Sequence, residues 1–225
     1  MHRSLAFIEP LEDRRLFTVS AATLVGPLRT GTTWTYKVTA ASSTYTATNK
    51  VVGTRKIGKI NCVEVDTSTG VGATITSVQS FVDLSSAGLL VYKQIGKSSG
   101  SSFSATTTHV PSPFNTQFPP SLKAGKTYKF SWTDVISTVS TPGGTTARTA
   151  SVSYTIKLMS DTLKKVKVPA GTFNCYSVVT KLTTVNNGVS SVQNVTHYIA
   201  PNIGDVKFVS DGVTTTQLTK FVKGK

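Results

Sequence analysis

The sequence predicts an all-β protein in which two related antiparallel halves form a curved sheet, half-barrel or sandwich around one shared core. Three observations predict it. Apolar and polar residues alternate with a period of two in segment after segment. β-Branched and hydroxyl residues dominate, with 37 threonines, 27 valines and 26 serines in 225 positions, a composition suited to a pleated surface. Several short motifs recur in the same order in the first and second parts of the chain.

The alternation begins in the body of the chain, where Trp34, Tyr36 and Val38 interleave with Thr33, Thr35 and Lys37. Val63 and Val65 then alternate with Cys62, Glu64 and Asp66. Further on, Tyr128, Phe130 and Trp132 alternate with Thr127, Lys129 and Ser131, and Val152, Tyr154, Ile156 and Leu158 with Ser153, Thr155 and Lys157. One apolar and one polar face per segment is the signature of antiparallel sheets, not of a parallel α/β core. Asn187-Gly188 and Asp211-Gly212 predict tight type I′ hairpins. Pro142-Gly143-Gly144 interrupts a long strand pair, Gly96–Ser104 reads as a flexible loop, and Pro111–Pro120 as a Pro-rich connector. No segment reads as a helix of more than a turn or two.

The repeats set Gly31–Lys37 beside Gly125–Phe130, and Ile60-Asn61-Cys62-Val63 beside Phe173-Asn174-Cys175-Tyr176. Ser77-Val78-Gln79 before Gly88–Tyr92 matches Ser191-Val192-Gln193 before Gly204–Phe208. The expected organisation is a leader at 1–20, a first β half at 21–110, a Pro-rich connector at 111–124 and a second β half at 125–225. Each half alone would leave strand edges to cover, so the two are expected to share one core.

Composition excludes several classes. Helical bundles need Ala, Leu, Glu and Lys, which are not the dominant residues here. Disorder is excluded because the apolar residues are plentiful and fall in strand-like runs. No run of 18 apolar residues exists to form a transmembrane helix. Only 15% of residues are charged, yet 24 Lys and Arg face 10 Asp and Glu, for a net charge of +14. Lys164, Lys165 and Lys167 cluster, as do Lys220, Lys223 and Lys225, and form a candidate basic surface. No nucleic-acid motif accompanies them. An anionic cell-envelope polymer or lipid headgroup is the expected polyanion, set against a surface that is basic only for solubility.

Chemistry-bearing motifs are sparse. Gly96-Lys97-Ser98 and Gly125-Lys126-Thr127 resemble the end of a phosphate-binding loop, but Val91 and Pro120 stand where its first glycine belongs. No nucleophile elbow occurs. The histidines are His2, His109 and His197, and His197 reads as a residue of a solvated face. Asp66 paired with Asp134 or Asp161 is the residual option for a glycosidase-like carboxylate pair, and nothing favours it. Catalytic, cofactor-binding and metal-ligating residues are therefore assigned to none, and no enzyme activity is expected. Cys62 and Cys175 occupy equivalent repeat positions. They are either a disulfide, worth roughly 4–5 kcal/mol in the loop-entropy account, or two separate buried thiols.

Two stretches carry resemblances. Phe7-Ile8-Glu9-Pro10-Leu11-Glu12-Asp13-Arg14-Arg15-Leu16 resembles the LEPR-type N-terminal motif of planctomycete-like exported proteins, with Ile8 inserted and Phe17 where leucine is common. The resemblance implies export to the periplasm, the cell surface or the medium of a bacterium, and no activity. Val168-Pro169-Ala170-Gly171-Thr172-Phe173-Asn174-Cys175, followed by Tyr198-Ile199-Ala200-Pro201-Asn202-Ile203-Gly204-Asp205-Val206-Lys207, is similar to the pattern of TapB-like exported bacterial β domains. That similarity implies a strongly curved antiparallel sheet or half-barrel. Two functions follow as expectations: a non-catalytic surface or envelope protein that is structural or adhesive through its basic face, or a carrier of a hydrophobic or lipid-like ligand in a concave sheet face.

Overall fold

The structure is a computed structural model that describes residues 18–71 and 74–225. The export motif Phe7–Leu16 and His2 lie outside the described residues. The chain begins with a short strand, β1 (Thr18–Ser20), and a one-turn helix, α1 (Ala21–Val25). Long strands follow: β2 (Thr33–Thr39), β3 (Thr44–Ile57), β4 (Ile60–Val71), β5 (Thr74–Ser85), β6 (Gly88–Ser99) and β7 (Ser104–Ser112). The Pro-rich stretch is more than a link, because it carries β8 (Asn115–Phe118) and β9 (Ser121–Lys123). The second run comprises β10 (Thr127–Thr141), β11 (Gly144–Leu158), β12 (Lys164–Val168), β13 (Gly171–Asn186), β14 (Val189–Ala200), β15 (Gly204–Ser210) and β16 (Thr214–Val222).

Twelve of these strands close into one antiparallel barrel, in the order β11-β10-β7-β6-β5-β4-β3-β2-β16-β15-β14-β13, with β13 returning to β11. The sequence expectation of an all-β antiparallel protein holds. The half-barrel or sandwich gives way to a closed barrel. The physical reason is the pairing of β2 with β16, from Thr33↔Val222 to Thr39↔Thr215. That ladder satisfies both open edges at once, and it joins segments with no local signal for each other. The barrel strands before residue 113, β2–β7, occupy six consecutive positions, and those after residue 126, without β12, the other six. The segments that the sequence sets in parallel fall on β2 and β10, β4 and β13, β5 and β14, and β6 and β15.

Local chemistry explains the turns. Asn187 and Gly188 both take positive φ, 49° and 78°, between Asn186 and Val189, the two-residue hairpin expected there. Asp211 and Gly212 are also positive, but the loop holds three residues because Ser210 pairs with Thr214. Its carboxylate accepts from the Asn194 N–H at 2.8 Å, which ties the loop to β14. The expected flexible loop at Gly96–Ser104 is mostly strand: β6 runs on through Ser99, and Gly96, Lys97 and Ser98 pair with β5 and β7. Two flanking ladders outweigh the weak strand preference of Gly and Ser.

One end of the barrel is plugged. Ser20 Oγ caps α1 by accepting from the Thr23 N–H at 3.2 Å, and β1 pairs with β9. Val19, Leu24 and Leu122 thereby join Ile156, Leu158, Val178 and Ile199 in one buried cluster. Each such side chain contributes about 1.5–3 kcal/mol on burial. A second cluster gathers Trp34, Tyr36, Val51, Cys175, Val206 and Leu218. Trp34 Nε1–H donates to the Ile203 carbonyl at 2.6 Å and Tyr36 Oη–H to the Asp205 carbonyl at 3.0 Å, so both aromatic rings bury without an unpaired polar tip.

Candidate functional site

Above the plug the barrel is not filled. A cavity of about 860 Å³ runs up the lumen between β10, β11, β13 and β14 to the rim at Asn187 and Val189. Strand periodicity supplies its wall. Trp132, Asp134 and Ile136 point inward from β10, and Arg148, Ala150, Val152 and Tyr154 from β11. Thr180, Leu182, Thr184 and Asn186 do so from β13, and Ser191, Gln193, Val195 and His197 from β14. Across the lumen, β6 adds Gln94, β7 adds His109, and β8 adds Asn115, Gln117 and Phe118. The wall is therefore mixed: aromatic and aliphatic groups alternate with carboxamides, hydroxyls and two histidine–aspartate pairs.

The first pair is His109 with Asp134, joined Nδ1 to Oδ2 at 2.7 Å across the β7–β10 seam. The second is His197 with Asp205, whose carboxylate oxygens lie 3.1 and 3.2 Å from Nδ1. A carboxylate only accepts, so Nδ1 carries the proton. On the other side of the ring, Nε2 lies 3.2 Å from the Thr180 hydroxyl. In the neutral ring Thr180 donates to Nε2, and in the protonated ring Nε2–H donates to Thr180. The three form a relay of hydroxyl, imidazole and carboxylate in the cavity wall. Burial pushes the His197 imidazole down, while the charge and hydrogen bond of Asp205 push it up, and the net direction is above its ordinary value of 6.5. Burial, with the Asp205 charge, likewise raises Tyr154, and the Thr180 hydroxyl offsets part of that. The phenol stays a neutral donor.

The sequence reading missed both pairs. It placed His197 on a solvated face, whereas His197 shares the inward face of β14 with Val195 and buried Ile199. The signal was present in the period of two. A charged residue on the apolar face of a strand, as Asp134 is between Trp132 and Ile136, marks a site more often than a solvated surface. The carboxylates suggested for a pair are separated, since Asp66 stands on β4, four strands from Asp134 on β10, and Asp161 lies in the link after β11.

Of the two options for the cysteine pair, the disulfide is not the one the structure holds. Cys62 and Cys175 are both free and buried. β4 and β13 stand six positions apart in either direction round the barrel, so equivalent places in the two runs become opposite places in the ring. Burial, with Asp205, raises Cys175 to about 11, and burial, with Asp83, raises Cys62. Both thiols are held protonated and poorly nucleophilic. The six lysines of the candidate basic surface, Lys164, Lys165, Lys167, Lys220, Lys223 and Lys225, are all exposed. The turn after β12 is bonded to β16, with Ala170 N–H donating to the Leu218 carbonyl at 3.0 Å. Among the described residues none of the six lysines forms an ion pair. No helix among these residues is long and apolar enough to cross a membrane.

No protein-family model matches the chain, and no curated protein sequence matches it. Among solved structures, a "putative lipoprotein" from Parabacteroides distasonis aligns over 89% of this chain and 99% of its own, at 11% identity and a TM-score of 0.42. A "putative exported protein with YmcC-like fold" from Bacteroides fragilis aligns over 89% of this chain and 100% of its own, with the same identity and TM-score. A likeness of that degree says nothing about a ligand or an activity.

Proposed function

We propose that the protein is a non-catalytic, exported envelope protein that carries a small ligand inside the lumen of its barrel. The observation that carries this reading is the cavity of about 860 Å³, within the range of roughly 300–1,000 Å³ typical of small-molecule sites. A barrel of eight strands has room for packed side chains or one small ligand. Twelve strands enclose more space, and here the plug of β1, α1 and β9 fills only one end. The wall mixes apolar side chains with several convergent polar groups, the combination that buries a ligand and orients it. The export part of the reading rests on Phe7–Leu16 and its resemblance to the LEPR-type motif.

A second reading, structural or adhesive contact with an anionic envelope polymer, draws on the six exposed lysines, which stand free of ion pairs among the described residues. One experiment separates the two. Mass spectrometry of the protein purified from its own host, native against denatured, is expected to show an added mass that leaves on denaturation. A bare native mass would overturn the carrier reading and leave the adhesive one.

A further inference from the structure

We propose that the ligand of the lumen is a neutral, hydroxyl-rich small molecule of saccharide type, recognised by the lining carboxamides beside the Trp132 and Tyr154 rings. This rests on the lumenal carrier reading above. Four buried side-chain oxygens have no hydrogen-bond partner among the described residues: Asp66 Oδ1, Asn115 Oδ1, Asp134 Oδ1 and Asn186 Oδ1. Three of the four residues, Asn115, Asp134 and Asn186, line the same cavity, from three different strands. Buried polar atoms in folded proteins are almost always paired. These oxygens have almost no accessible surface and lie sealed within the wall, so a guest meets the other polar groups of the side chains that line the lumen.

The rest of the wall narrows the class. Six of the lining side chains are carboxamides: Gln94, Asn115, Gln117, Asn186, Asn187 and Gln193. A carboxamide both donates and accepts, as a sugar hydroxyl does. Gln94 and Gln193 are themselves held in place, their Nε2 groups donating at 3.1 Å to Ser80 and Ser210. Side chains fixed by a neighbour lose less freedom on binding. Trp132 and Tyr154, with ring centroids 6.3 Å apart, supply an apolar aromatic surface on the same wall. A pyranose ring has a C–H face to lay on such a surface and a rim of hydroxyls for the carboxamides.

Two competing classes fit less well. An alkyl chain would strip water from the lining carboxamides without replacing their hydrogen bonds, which costs affinity. A polyamine would meet the Arg148 guanidinium in the wall, while both lumenal carboxylates already face an imidazole.

The test uses the full chain labelled with ¹⁵N. It holds two tryptophans, so its spectrum carries two indole N–H signals. Trp132→Phe assigns them. The probes are neutral disaccharides (cellobiose, maltose, lactose and N,N′-diacetylchitobiose), octanoate and spermidine. The expected result is a saturable shift of the Trp132 signal with at least one disaccharide, while Trp34, bonded to Ile203 in the other cluster, stays still. Asn115→Ala and Asn186→Ala should each weaken that disaccharide by about fivefold or more, and an unmoved Trp34 signal verifies that each variant is folded. If octanoate or spermidine moves Trp132 and no disaccharide does, the saccharide class is wrong and lumenal binding survives. If no probe moves it, the class also falls, and the native-mass experiment alone decides the carrier reading.

Discussion

His197 concentrates the electrostatics of the lumen. It sits one-fifth exposed beside Asp205, and its folded-state value is raised above the ordinary 6.5. The linkage has a definite sign. Below about 6.5 the imidazole is protonated in both folded and unfolded chains, and the pair contributes its full stabilisation there. As pH rises through the higher folded value, the folded ring loses its proton and the contribution is lost. Thermal unfolding from pH 5.5 to 9 should therefore show wild type losing more stability than His197→Gln over the upper part of that window. Parallel pH profiles for the two proteins would show that the Asp205 contact does not couple to folding. The sequence contains both partners eight residues apart, but not their contact. That contact depends on the β14–β15 turn and on the irregular register between Tyr198 and Ile199.

At the scale of elements, the plug is held by close backbone approach. Gly204 takes φ of 94°, and a Cβ there would lie 2.9 Å from the Val25 carbonyl oxygen. A Cβ on Gly26, at φ of 79°, would overlap the Ile203 carbonyl. The two glycines let α1 and the β14–β15 turn touch, and Asn202 N–H then donates to the Thr23 carbonyl at 2.8 Å. Gly204→Ala should destabilise by about 1–3 kcal/mol, from strained backbone together with the clash. Gly188 also has positive φ, but nothing lies within 4 Å of its Cβ position. Gly188→Ala should cost only about 1 kcal/mol. Urea denaturation of both variants measures the difference, and equal losses would mean that the plug contact contributes nothing. Strand positions and the Asn187-Gly188 hairpin were legible in sequence because both signals are local. β8 and β9 were not, because a Pro-rich stretch becomes strand only when β6 and β1 offer a partner edge.

For the whole molecule, continuity of the ring is the central fact. The barrel has no seam between the first six strands and the last six, since β7 pairs with β10 and β2 with β16. Trp34 lies in the first run and Trp132 in the second. In chains carrying one tryptophan each, Trp132→Phe and Trp34→Phe, fluorescence and circular dichroism should report coincident unfolding midpoints within each variant. Two separate transitions within one variant would mean that the halves unfold as independent units. A partly hollow ring also carries an energetic consequence, because lining groups that face a lumen contribute less packing than groups in a filled core. The plug cluster around Leu24, Leu122, Ile156 and Leu158 supplies the packing that the upper lumen lacks.

By itself the sequence determined that this is an antiparallel all-β protein, where most strands and tight turns fall, and that its exterior is basic. Those properties follow from residue spacing and composition, which act over a few residues. Only the tertiary structure decided that the sheet closes, that Cys62 and Cys175 stand on opposite sides of it, and that His109, Asp134, His197 and Asp205 face one cavity. Each of these depends on which strand lies beside which, and the β2–β16 pairing that closes the ring joins residues nearly 190 positions apart. Period-two alternation states that a side chain faces inward. Ring closure, strand count and the extent of the plug determine whether the space it faces is packed or open.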